Sequence, residues 1–142
     1  MKNLIWKTLG VAIGLAVAMA LIVAVEAFSS VVHPIPAELS DTFDGVCKHV
    51  ANYPFWVLGA VVFAWSASTF ASVWVSARIG SYPSGIIVCI LLAFGIAFNL
   101  LKLPYPAWFK ILMPICFTIA CFAGMANAIQ NHQNRRLPLP SE

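Results

Sequence analysis

Polar and apolar residues fall into long blocks along this chain. Four apolar runs cover residues 4–31, 54–76, 83–101 and 106–129, with short polar stretches between them. Each is near or above the ~20 residues that carry a helix across ~30 Å of hydrocarbon at about 1.5 Å per residue. The pattern predicts an all-α membrane protein. Four transmembrane helices would form a compact bundle, as two hairpins joined by a short cytoplasmic loop. Residues 1–142 read as a single transmembrane domain, with 130–142 as a polar C-terminal tail.

Helix boundaries are marked locally. All three tyrosines precede a proline: Tyr53-Pro54, Tyr82-Pro83 and Tyr105-Pro106. Proline suits the first helical position, where its missing N–H would go unpaired anyway. Tyrosine suits a membrane boundary, with its ring in an apolar setting and its hydroxyl wet. Each pair is expected to open a span. Pro114 falls inside the fourth run, where it removes one backbone hydrogen bond and crowds the Lys110 carbonyl, so a bend is expected there. Two loops contain Pro-x-Pro, at Pro34-Ile35-Pro36 and Pro104-Tyr105-Pro106. Prolines that stop one helix and start the next explain this without an internal duplication.

Every run also carries small residues at fourth positions. The first has Ala12, Ala16, Ala20 and Ala24, beside Gly10, Gly14 and Ala18. The second has Ala60, Ala64, Ser68, Ser72 and Ser76; the third Gly85, Cys89, Ala93 and Ala97; the fourth Cys116, Ala120, Gly124 and Ala128. Inside lipid, helices associate through close backbone approach, which such rows permit. Gly10, Gly14, Ala64, Ser68, Cys89, Ala93, Ala120 and Gly124 are therefore candidate packing positions. Ser68 and Ser72 are expected to bond to backbone rather than to line a pore.

Composition agrees with this class. The chain is 61% hydrophobic and 9% charged, against roughly 25% charged for a soluble domain. The formal charge of +3 comes from scattered residues, so no nucleic-acid partner is expected. Lys2, Lys7, Arg78, Arg135 and Arg136 fall on one side of the four spans; Lys48, Lys102 and Lys110 fall on the other. The richer side should be cytoplasmic, which puts both termini inside and the loop over 32–53 outside. The N-terminal run exceeds the ~7–15 residues of a signal-peptide core, so it reads as a retained helix. Cys89, Cys116 and Cys121 lie in apolar runs, where cysteine acts as a small hydrophobe. Cys47 sits alone in the outer loop, without an evident intrachain partner but able to bridge to another chain.

Few residues offer chemistry. Glu26 is the sole acid within an apolar run, and an intramembrane carboxylate is a candidate site by default. It lies nineteen residues beyond Lys7, roughly 28 Å along a helix. That places it near the outer boundary, where it could bind a proton or a cationic ligand, together with His33, or simply be held by water or a lysine. His33, Cys47 and His49 are ligand types for a transition metal. His132 falls at the opposite end from His33, so no haem-binding histidine pair forms, and no cofactor is expected. Asn99 and Asn127 are expected to bond between helices. No nucleophile is paired with a base.

Glu26, Pro34-Ile35-Pro36, Trp65 with Ala64 and Ser68, and Leu103-Pro104-Tyr105-Pro106-Ala107-Trp108 together resemble a family of small bacterial four-helix integral membrane proteins of uncharacterised function. The resemblance covers most of the chain. It implies four helices in a bacterial inner membrane and brings no activity with it. Two better-known four-helix classes fit poorly. Quinone-linked thiol oxidoreductases need a paired-cysteine motif, and small multidrug transporters carry their glutamate at mid-membrane.

The leading expectation is a non-enzymatic scaffold or accessory subunit. Its partners would be the lipid bilayer and either copies of itself or other subunits of a membrane complex. The alternatives are a small transporter or ligand-binding protein using Glu26 and the outer loop, and a metal-dependent membrane enzyme.

Overall fold

A computed structural model describes residues 2–134, with side chains from Asn3 to Gln130. Six helices follow in order: α1 (Lys2–Val32), α2 (Ala37–Ser40), α3 (Phe43–Ala51), α4 (Phe55–Ile79), α5 (Tyr82–Lys102) and α6 (Ala107–Asn134). Four of them, α1, α4, α5 and α6, are long and apolar enough to cross a membrane. The protein is an all-α membrane protein with four transmembrane-type helices.

Only one Tyr-Pro pair falls inside a helix. Tyr82 and Pro83 lie in the first turn of α5. Pro54 caps α4 from outside, and its carbonyl accepts from the N–H groups of Val57 and Leu58. Pro106 does the same for Phe109 and Lys110 at the start of α6. Helix α6 runs unbroken through Pro114. It also reaches Asn134, so residues 130–134 are helix and not tail. The rest of the expected tail, 135–142, lies outside the described residues.

Helices α2 and α3 replace what the sequence suggested was an irregular loop. Thr42 caps α3, its hydroxyl accepting from Gly45 N–H at 3.1 Å. Asp44 stands in the first turn, and Lys48 and His49 in the last, which suits the helix dipole at both ends. Asp44 and Lys48 pair at 2.9 Å. At Gly45 the Leu39 backbone fills the space of a Cβ, which docks α3 on α2.

Helix α4 is the hub. It packs on α1, α5 and α6, while the backbones of α1 and α6 stay apart among the described residues. The predicted small-residue rows divide between interior and exterior. Gly10 lies against Gly80 and Ser76, and Gly14 against Ser72, Ser76 and Val88. Gly124 fits against the backbone at Phe70 and Trp74, and Gly85 against Ala77. Ala120 and Ala128 are buried beside Gly124 on α6; Ser68, Ser72 and Ser76 are buried on α4; Ala64, Cys89 and Ala93 are half-buried. In contrast, Ala12, Ala16, Ala20 and Ala24 of α1 are all exposed. Ser68 and Ser72 bond back to the carbonyls of Ala64 and Ser68, at 2.8 and 2.6 Å.

The core joins Leu58, Val62, Trp65 and Val73 of α4 to Val88 of α5 and Phe109, Met113, Phe117 and Cys121 of α6. Phe63, Phe94, Phe98 and Phe122 point outward. One end of the bundle, the base, holds the tight α4–α5 turn at Gly80-Ser81. There Ser84 Oγ of α5 donates to the Lys7 carbonyl of α1 at 3.1 Å. The other end, the cap, carries α2, α3 and the segment 103–106.

Candidate ligand site

Helices α1 and α5 meet at the base and leave space towards the cap. Gly14, which lies against Val88, and Ser84, which bonds to the Lys7 carbonyl, hold the base contact. Further up, Leu15, Met19, Ile22 and Glu26 of α1 face Leu91, Gly95 and Asn99 of α5 across a cleft of about 290 Å³. Trp65, Ser68 and Thr69 of α4 form its back wall. Gly95 is one reason for the gap, since a Cβ there would meet nothing within 4 Å. The wall hydroxyls are spent on their own helix, with Thr69 Oγ1 donating to the Trp65 carbonyl at 2.9 Å. The cleft is therefore apolar except at its cap end.

A second chamber of about 280 Å³ lies beneath the cap, lined by Ser29, His33, His49, Tyr53 and Tyr105 among others. Its roof is an aromatic cluster. The His33 and His49 rings stack at 4.5 Å with 11° between planes, and Tyr53 meets them at 4.9 and 5.1 Å. His49 Nε2–H donates to the His33 carbonyl at 3.2 Å. Ser29 Oγ and Tyr53 Oη bond at 3.0 Å. These contacts clip the end of α1 to α3 and to the start of α4. Tyr105 stacks on Phe109 at 4.5 Å. Burial, followed by the charges of Glu26 and Tyr53, pushes its phenol well above the usual tyrosine range.

Three residues line both spaces: Glu26, Trp65 and Asn99. Glu26 keeps an exposed side chain and has no ion-pair partner among the described residues. Trp65 is only 8% exposed, yet its Nε1–H has no acceptor. His33 Nε2 is also buried without a partner. A buried N–H left unpaired costs about 1–3 kcal/mol.

The sequence candidates separate accordingly. Glu26, His33 and His49 converge on the chamber. Cys47 does not: it precedes His49 by two positions on α3, a rotation of about 200°, and it does not line the chamber. Among the described residues, no three His, Cys, Asp or Glu side chains group as metal ligands. Asn127 bonds to the Ala123 carbonyl of its own helix at 3.0 Å, not to a neighbour. Trp65, Tyr53 and Tyr105 were not sequence candidates for chemistry. The tyrosines gave a signal, but their place before proline marked them as boundary residues.

Comparison of the chain with protein-family models, with curated proteins and with solved structures gave no match.

Proposed function

We propose that this is an integral membrane protein that binds a small ligand in the joined spaces beneath its cap, to carry it or to present it, with Glu26 as the polar anchor. One observation carries the reading: Glu26, a carboxylate within a span, lines both cavities together with Trp65 and Asn99. A carboxylate in a membrane span is costly unless it meets a proton, water or a cationic partner. The charge rule, applied to the Lys and Arg count along the sequence, supports a cytoplasmic side at the end that carries the α4–α5 turn. The cap and its chamber then open outward, in a bacterial inner membrane.

A plugged variant tests this. Gly95→Trp fills the cleft, because the glycine has no neighbour for a Cβ to strike. Protein extracted with its native lipid should hold a small molecule, seen by mass spectrometry, that Gly95→Trp lacks. Equal content in both would overturn the reading.

The scaffold reading keeps one supporting observation. Ala12, Ala16, Ala20 and Ala24 form an exposed face, and an apolar groove of about 500 Å³ beside it holds Ala60, Ala64, Ala67 and Ala71. Another membrane helix could approach closely there. Native mass spectrometry in mild detergent tests it: a higher oligomer that Ala16→Leu disperses supports the scaffold, and a monomer counts against it.

A further inference from the structure

Resting on the ligand-binding reading, we propose that the ligand is a lipophilic ammonium compound: one hydrocarbon chain lies in the α1–α5 cleft, and its cationic head sits at Glu26.

The cleft decides the tail. The residues of α1 and α5 that line it are apolar up to Glu26 and Asn99. Two of them are also open to the outside of the chain, Met19 at 60% and Leu91 at 46% exposure. Those faces belong to membrane-type helices, so the cleft opens sideways into the acyl region of the bilayer. A molecule already dissolved in the lipid slides in without crossing water. Towards the base the two helices close, where Gly14 lies against Val88, so the cleft has a floor. From Leu15 to Glu26 is eleven residues, roughly 16 Å along α1. An extended chain advances about 1.2 Å per bond, so about twelve carbons reach from the floor to the carboxylate. Such a chain gains contacts along the walls that a compact polar solute would not.

Glu26 decides the head. It stands at the cap end of the cleft and also lines the chamber above. Tyr105, in the chamber wall, feels its charge. Neither space is lined by a lysine or arginine. Two cations near the cap are placed elsewhere: Lys48 pairs with Asp44 at 2.9 Å, and Lys102 leans over the Phe98 ring at 5.9 Å. Neither His33 nor His49 forms an ion pair with Glu26. The chain therefore supplies no counter-charge to this carboxylate among the described residues. An ammonium group brings both the charge and three N–H donors, and its bond to a carboxylate is charge-assisted. Asn99 lines the same junction, and its amide carries a further acceptor. An alkyl anion would set like charge against Glu26, and an alkanol would offer a donor without the charge.

The full chain, purified in a neutral alkyl-maltoside detergent, is titrated with dodecylamine, dodecanol and dodecanoate, and with ethylamine as the head without the tail. Native mass spectrometry reads saturable binding. Dodecylamine should bind about tenfold tighter than dodecanol or dodecanoate, and ethylamine should not saturate. Glu26→Gln should bring dodecylamine to within about twofold of dodecanol; micelles take up each probe equally in both samples, so the change in ratio reports the site. Gly95→Trp should weaken all three dodecyl probes with Glu26 still in place, which tests the tail if the glutamate variant does not fold. A lysolipid with an ethanolamine head carries the same ammonium and separates two sources of it. Binding as tight as dodecylamine supports a membrane lipid as the ligand, and binding about tenfold weaker supports a free amine. Equal binding of the three dodecyl probes overturns the head assignment and leaves the cavity reading standing. Ethylamine binding as tightly as dodecylamine overturns the tail assignment. No saturable binding of any probe overturns the ammonium class altogether. A native molecule lost on Gly95→Trp would then still support a ligand site of different chemistry, and its absence would sink both.

Discussion

A methyl group placed on Gly10 would sit 2.5 Å from the Cα of Gly80 and 2.8 Å from the carbonyl oxygen of Ser76. Both are backbone atoms and cannot swing aside. Gly10→Ala should therefore lower stability by about 1–3 kcal/mol, as overpacking does, read as a lower melting temperature in detergent. Ser81 holds φ at 149° in the α4–α5 turn, a region that L side chains rarely occupy. Ser81→Gly should raise stability by roughly 1 kcal/mol by relieving that conformation; no gain in melting temperature would count against strain at this turn. Tyr105 adds a pH effect. Its folded value is raised, by burial first and then by Glu26 and Tyr53, while the unfolded phenol titrates near about 10. The contribution is thus fully present below that pH and is lost as pH rises towards the folded value, because only the unfolded state releases the proton. Tyr105→Phe should lose less stability than the parent between neutral and strongly alkaline pH, a comparison that thermal melting makes directly.

Helix α3 is the element whose loss would matter most to the site. It carries His49, which roofs the chamber and bonds to the end of α1. Its start depends on the Thr42 hydroxyl, which accepts from Gly45 N–H. Thr42→Ala should cost about 1 kcal/mol at this cap. Hydrogen exchange should accelerate in α3 while α4 stays protected; uniform exchange across both would mean that the cap is not a separate unit. The sequence shows why this element was hard to read. Nine residues with mixed polarity between two prolines look like a loop when apolar runs are the main signal. The cap residue and the acid-to-base order were legible, but they are weak signals beside twenty-residue spans. The long helices were legible because lipid leaves the backbone no other partner than itself. Their ends shifted by a few residues, as at Pro54 and Pro106, where proline sits just before the helix and its carbonyl supplies the first acceptor.

At the scale of the whole molecule, the division of small-residue rows sets what the protein can do. Gly10 and Gly14 meet α4, Gly124 meets its other side, and α1 still leaves most of its span exposed. Four rows with the same spacing could not be ranked from the sequence, because spacing says that a face can be approached and not what approaches it. The candidate site divides in the same way. Glu26, His33 and His49 stood out as polar residues near an apolar boundary. Trp65 and Asn99 did not, because a tryptophan or asparagine in a span acquires meaning only from the partner it lacks or finds. What the chain settled alone was the number of membrane-type helices and the presence of one carboxylate among them. Both are properties of contiguous residues and of the cost of exposing peptide groups to hydrocarbon. Tertiary packing decided the rest: which small faces close, and where α1 and α5 part to leave a cleft beside Gly95. A cavity is the mismatch between surfaces far apart in sequence, so no single stretch of residues records it.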